Sequence, residues 1–223
     1  MKRSEINKLI QEAIEFFNSQ NFYLPPWGYW TAEEWQKNRH NADGVVEHKL
    51  GWDLTDFGLN DFYNKGLLLF TIRNGKFGES GSKNYAEKIM IVRDEQLTLW
   101  HFHWYKTEDI INRGGGNLII GLCNSTKDEQ LADTPVTVET DGITRTIEAK
   151  DSITLRPGES VTLPPLLYHQ FYGEKDKGWV LVGEVSSVNE DEKDNRFFDP
   201  VGRFPQIEED EPPFYYLCYE YPS

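Results

Sequence analysis

Five histidines occur in the 223-residue chain, and three of them stand where they could share one ion. In the run Leu99-Trp-His-Phe-His-Trp-Tyr-Lys-Thr-Glu108, His101 and His103 are two positions apart, which puts both imidazoles on one face of a β-strand. Imidazole and carboxylate donors together suit a borderline or hard divalent metal. Glu108 comes five positions after His103 and would face the other side of an unbroken strand, so a turn or bulge must intervene. Restoring its parity also brings Lys106 to that side, an ammonium beside the ion. His169, which follows the prolines at 164 and 165, completes a candidate ligand set of His101, His103, Glu108 and His169. His40 and His48 have no such context and read as solvated loop histidines.

This spacing resembles the cupins, small β-barrels whose first motif is HxH, a gap of three or four, Glu, six residues, then Gly. Here the gap is four and Gly115 falls in register. The second cupin motif, a glycine, five residues, a proline, then a histidine five positions on, is matched by Gly158, Pro164 and His169. Three turn positions depart from the pattern: Glu95 and Leu166 stand where glycines are expected, and Gly173 where the motif closes on asparagine.

Three histidines and one carboxylate leave up to two positions of an octahedral ion for substrate, enough for a vicinal diol or a hydroxy-carbonyl. Two chemistries fit: dioxygen activation by iron, or Lewis-acid polarisation of a carbonyl beside a base that moves a proton. The second needs ionisable side chains around the ion. Lys106 is one. Lys88, in Tyr85-Ala-Glu-Lys-Ile, and Glu184, in the apolar run Val182-Gly-Glu-Val-Ser186, are others if they point inward. A buried Glu184 gains proton affinity by desolvation, as a general base requires.

The elements that must carry these groups are mostly strands. From about residue 66, short β-rich runs (66–73, 88–93, 96–103, 117–123, 136–139, 144–149, 152–155, 160–163, 168–172 and 179–185) alternate with turn signals such as Asn74-Gly75, Asp141-Gly142 and Pro157-Gly158. The expected fold is all-β, a cupin-type jelly-roll barrel in one domain spanning 1–223, with residues 1–65 a helical and loop extension and 66–223 the barrel and C-terminal segment. Ile6, Leu9, Ile10, Ala13, Ile14 and Phe17 recur at helical spacing after Ser4, which predicts an amphipathic helix over 4–19, N-capped by Ser4 and packed on the outside of the barrel. Thr31-Ala-Glu-Glu34 is a capping box opening a helix to about Asn38, anchored by Trp35. The Pro- and aromatic-rich stretch 23–30 should pack irregularly on the body or edge a pocket. The acidic run Glu208–Glu211 reads as a solvated turn before a last strand over Phe214–Tyr219.

A net charge of −14 argues against nucleic acid or an anionic membrane as partner. No run approaches the roughly twenty apolar residues that span a bilayer, and Cys123 and Cys218 lack metal or redox spacing and read as free thiols. A soluble, cytoplasmic protein is the expectation.

Over nearly its whole length the chain resembles the D-lyxose isomerase family of cupins. The resemblance lies in Tyr85-Ala-Glu-Lys-Ile-Met90, His101-Phe-His-Trp-Tyr-Lys-Thr-Glu-Asp109, Pro164 to His169, Gly183-Glu-Val-Ser-Ser-Val-Asn189 and Asp194-Asn-Arg196. It implies a manganese-dependent ketol-isomerase, with Co2+, Fe2+ or Zn2+ able to occupy the same site, that interconverts D-lyxose with D-xylulose and D-mannose with D-fructose as a homodimer. In the proton-transfer route through a cis-enediol, Glu184 is the base and Lys106 moves a proton between O1 and O2. Lys88 hydrogen-bonds the sugar, the roles of Glu184, Lys106 and Lys88 being exchangeable, and Asp194 and Arg196 either close over its far hydroxyls or form a surface ion pair. A hydride shift is the competing route. A phosphosugar isomerase, an iron dioxygenase and a non-catalytic sugar-binding cupin are the alternative functions.

Overall fold

The computed structural model describes residues 1–191 and 193–222. Two antiparallel sheets face each other, as the turn-punctuated strand pattern predicts. The strands are β1 (Gly51–Thr55), β2 (Leu67–Arg73), β3 (Tyr85–Val92), β4 (Thr98–Phe102), β5 (Glu108–Gly115), β6 (Leu118–Asn124), β7 (Val136–Thr140), β8 (Ile143–Ile147), β9 (Ser152–Leu155), β10 (Ser160–Leu163), β11 (Leu167–Gly173), β12 (Val180–Ser187) and β13 (Arg196–Phe197). One sheet runs β1-β2-β3-β12-β5-β10-β7-β8 and the other β13-β4-β11-β6-β9.

Strand alternation divides the apolar residues into two layers. Met90, Val92, Ile110 and Val182 point inward to meet Leu118, Ile120, Leu122, Ile153 and Phe171 of the facing sheet. The alternate residues, among them Leu54, Phe70, Ile89, Ile91 and Leu181, point outward and are covered by helix α1 (Arg3–Ser19) through Ile6, Leu9, Ile10, Ala13 and Phe17. Strands covered on both sides read as nearly unbroken apolar runs, which is the pattern of Lys88-Ile-Met-Ile-Val92. Helix α2 (Ala32–Asn38) starts at the expected capping box, with Thr31 Oγ1 accepting from Glu34 N and Glu34 accepting from Thr31 N. Trp35 is buried against Tyr221, 4.0 Å between ring centroids. A short helix α3 (Asp43–Glu47) follows.

Four sequence expectations are corrected. Lys2, not Ser4, occupies the N-cap of α1, because Ser4 N and Oγ both donate to Asp210. The acidic run is correspondingly no mere solvated turn: Glu209 pairs with the buried Arg3 at 2.7 Å and Glu211 accepts from Asn7. The segment after it forms no last strand; its tie to the sheet is a single parallel bridge from Leu217 to Trp52, and Leu217 and Tyr215 are held by burial. Residues 1–65 are more than a helical and loop extension, since β1 lies within them and pairs along its length with β2. The stretch 23–30 forms a 3-10 turn over Pro26–Tyr29, and Trp27 packs on Phe70 rather than edging the cavity.

Candidate metal centre and cavity

The space between the sheets opens into a cavity of about 350 Å³, with the three histidines and Glu108 in its wall. His101 is the penultimate residue of β4 and pairs across the sheet with His169 of β11. His103 sits one residue beyond β4, and the chain turns over 103–107 before Glu108 opens β5, so the break demanded by the sequence parity is present. One donor atom from each of His101, His103, Glu108 and His169 lies within 4.8 Å of every other, and all four side chains are buried.

The hydrogen bonding around this cluster bears on what it could hold. Each Nδ1 is set against a backbone carbonyl: His101 to Leu99 at 2.8 Å, His103 to Asp194 at 2.5 Å, His169 to Leu167 at 3.0 Å. An Nδ1–H that donates leaves the Nε2 lone pair facing inward, the second-sphere arrangement of metal-binding histidines. His169 Nε2 then lies 3.0 Å from Glu108 Oε1, and neither atom has a hydrogen-bond partner. Two buried lone pairs aimed at each other are repulsive unless a cation lies between them. Burial and the two neighbouring imidazoles hold His101 well below the usual imidazole range, so it stays a neutral ligand. The residues therefore fit a divalent metal with nitrogen and oxygen donors.

The departures from the cupin turn pattern leave the turns intact. Glu95 and Leu166 adopt φ of 55° and 66°, the left-handed conformation that the expected glycines would take. Gly115 has φ of 84°, and a Cβ there would stand 2.1 Å from the carbonyl oxygen of Trp179.

A polar ladder runs along the cavity face of the larger sheet. Thr71, Lys88 and Glu184 are direct cross-strand neighbours on β2, β3 and β12. Lys88 Nζ lies 3.2 Å from Glu184 Oε1 and 2.6 Å from Asn189 Oδ1. Lys106 Nζ lies 3.0 Å from Glu184 Oε1 and 2.7 Å from Glu108 Oε2, linking the metal ligands to the ladder. The expected rise in proton affinity at Glu184 is reversed. Burial pushes its carboxyl up, but Lys106 and Lys88 together outweigh that and hold it below the usual range. Burial likewise opposes the charge of Lys106, and Glu108 and Glu184 overcome it, so the ammonium is retained.

Asp194 and Arg196 are placed differently from the sequence expectation. Asp194 is buried, with Oδ1 accepting from Tyr105 N at 2.8 Å and Oδ2 from Lys106 N at 3.0 Å. With its carbonyl on His103, Asp194 clamps the turn that joins the HxH pair to Glu108 and stands outside the cavity lining. Arg196 Nε pairs with Glu129 at 2.9 Å, outside the cavity lining. His40 is exposed, as expected, but His48 is half-buried beside a polar recess and has an unpartnered Nδ1. Both cysteines are free.

Sequence reasoning missed the end of the cavity formed by Asp53, Asp191 and Arg203. Arg203 reaches Asp191 at 2.6 Å and Asp53 at 3.3 Å. Burial raises the Asp191 carboxyl, but Lys88, Arg203 and Lys106 pull it down to about 2. Asp53 was findable: in Gly51-Trp-Asp-Leu-Thr55 it alternates with two buried apolar residues.

Residues 1–221 match the family model described as D-lyxose isomerase. A D-lyxose/D-mannose isomerase of Serratia proteamaculans is 51% identical over 223 residues, covering 99% of this chain and 98% of that one. A D-lyxose/D-mannose isomerase of Escherichia coli O157:H7 gives the same identity and coverage. Among solved structures, the L-ribose isomerase of Cellulomonas parahominis with L-ribose superposes with a TM-score of 0.61 at 14% identity, covering 93% of this chain and 98% of that one. The Geodermatophilus obscurus L-ribose isomerase gives a TM-score of 0.58 at 17% identity, with coverages of 92% and 98%. At these identities the structural likeness concerns the fold alone.

Proposed function

Since the chain belongs to the D-lyxose isomerase family and is an isomerase, we propose that it interconverts D-lyxose with D-xylulose and D-mannose with D-fructose by proton transfer through a cis-enediol. The observation that carries this reading is the unbroken run of proton-holding groups beside the ligand cluster: Glu108, Lys106, Glu184 and Lys88, each within 3.2 Å of the next. A divalent ion held by His101, His103, Glu108 and His169 supplies Lewis-acid polarisation of the sugar carbonyl.

The chain's own residues account for the rest. Glu184, kept ionised by its two lysines, takes the proton from C2 of the open-chain aldose and returns it to C1. Lys106 keeps its proton at neutral pH and lies between Glu184 and Glu108, where Nζ can give a proton to O1 and recover the one that leaves O2. Lys88 steadies the Glu184 carboxylate and offers a donor to the sugar. Leu67, Leu69, Met90 and Phe171 line the remaining wall and exclude water from the reacting carbons.

A free sugar fits the cavity better than a phosphorylated one. Lys88, Lys106 and Arg203 each already face a carboxylate, which leaves no unengaged cation for a phosphate among the described cavity residues. Manganese as the resident ion, a homodimer and a cytoplasmic location complete the proposal; among the described residues no helix is long and apolar enough to cross a membrane.

The test is metal-dependent turnover. Protein stripped with a chelator and reloaded with Mn2+, Co2+, Fe2+ or Zn2+ is incubated with D-lyxose or D-mannose, and D-xylulose or D-fructose is followed by chromatography. Ketose that appears only with metal supports the reading. Oxygen consumption in place of ketose, or metal binding without turnover of either aldose, overturns it.

A further inference from the structure

Five side-chain atoms in the cavity wall are buried without a hydrogen-bond partner: Glu108 Oε1, His169 Nε2, Thr98 Oγ1, Asn195 Oδ1 and Asp53 Oδ1. The first two belong to the ligand cluster. Of the other three, Asp53 is the acidic one, and it stands on a strand four places away from the strand of Glu108 in the larger sheet. Its orientation is set: Oδ2 faces Arg203 at 3.3 Å, and the side chain is 13% exposed. Arg203 is in turn held at 2.6 Å by Asp191. Trp52 and Leu54, on either side of Asp53, are fixed in the outer apolar layer, so strand parity directs Asp53 inward. Oδ1 has no donor from the protein, so it is the carboxylate oxygen open to an incoming hydroxyl.

We propose that Asp53 is a specificity-determining residue, whose free Oδ1 accepts a hydrogen bond from the terminal hydroxyl of a six-carbon aldose. This rests on the isomerase reading above. With C1 and C2 held at the histidines and Glu184, the sugar chain extends away from them. D-mannose matches D-lyxose through C4 and adds one carbon and one hydroxyl at the far end. Asp53 lines the same cavity from the edge strand of the larger sheet, away from the ligand cluster, and a site that hydrogen-bonds a hydroxyl discriminates against an analogue that lacks it. Asp53 touches no reacting atom, so its effect falls on KM for the hexose.

The experiment compares D-lyxose, D-mannose and 6-deoxy-D-mannose on wild-type and Asp53→Ala protein loaded with Mn2+, with thermal unfolding of both. The wild type should handle 6-deoxy-D-mannose with a kcat/KM about ten-fold below that for D-mannose, an arm that needs no substitution in the protein. Asp53→Ala should lower the ratio of kcat/KM for D-mannose over D-lyxose by about ten-fold, mainly through KM, and should no longer distinguish D-mannose from its 6-deoxy form. A wild type indifferent to the terminal hydroxyl, or a variant with an unchanged ratio, overturns the role of Asp53 and leaves the isomerase reading standing. A wild type that turns over neither D-lyxose nor D-mannose overturns both.

Discussion

Substituting Asp194 by Asn should loosen the metal centre without unfolding the protein. Its carboxylate accepts two backbone amides of the turn between β4 and β5, Tyr105 N at 2.8 Å and Lys106 N at 3.0 Å, in a buried position. Asparagine keeps one acceptor and sets an NH2 group against the other amide. One hydrogen bond to a charged group is lost, and a buried N–H is left without an acceptor, at a cost of about 2–3 kcal/mol. That is a fraction of the roughly 5–15 kcal/mol by which domains are stable, so the fold should persist with Tm lowered by about 5–10 °C. The same turn sets the separation of His103 and Glu108, and the Asp194 carbonyl holds His103 Nδ1. Metal affinity should therefore fall about 10–100-fold, the usual effect of disturbing a residue behind a ligand. Calorimetric Mn2+ titration and thermal unfolding of both proteins measure the two effects. Unchanged metal affinity with a lowered Tm would refute the turn-clamp reasoning, and an unchanged Tm would refute the hydrogen-bond arithmetic.

Leu166→Gly should raise stability by about 0.5–1 kcal/mol in urea unfolding, because Leu166 is exposed and holds φ of 66°; a loss of stability would show that the side chain packs usefully. Asp191 is ionised more readily in the folded protein than its ordinary 3.8, with a value of about 2. Its stabilising contribution is thus complete above about pH 4 and is lost as pH falls toward 2, so the stability difference between wild type and Asp191→Asn should shrink across that range. A constant difference would contradict the assignment. Lys106→Met should lower kcat for D-lyxose by at least about 100-fold, and Mn2+ titration of the same variant should show the ligand cluster still able to bind; near-normal turnover would remove Lys106 from the proton path.

The ligand cluster was legible in the sequence because strand parity and two turn-bounded motifs constrain it on their own. Glu108–Gly115, a central strand, was not recognised: it places Glu108 and Asn112 inward, and three consecutive glycines follow Arg113, so no apolar alternation marks it. Phe214–Tyr219 misled in the opposite sense, since the alternately buried Tyr215 and Leu217 in an aromatic-rich run imitate a strand. Lys88, Lys106 and Glu184 could each be named, but that both lysines meet one carboxylate is a long-range fact, and it reversed the expected shift at Glu184. Asp191 and Arg203 reach Asp53 from two irregular segments with no spacing to betray them, and only Asp53, alternating with Trp52 and Leu54, carried a signal. Asp194 lay in a recognisable stretch, yet its sequence context could not distinguish a sugar ligand from a turn clamp.

The central claim is that Glu184 moves a proton between C2 and C1, and proton NMR of the D-lyxose reaction in deuterium oxide tests it most directly. Wild-type protein with Mn2+ should yield D-xylulose carrying one deuterium at C1, and Glu184→Gln should slow that product by at least about 100-fold while still binding the metal. Ketose without deuterium, or incorporation by Glu184→Gln at the wild-type rate, would contradict the account.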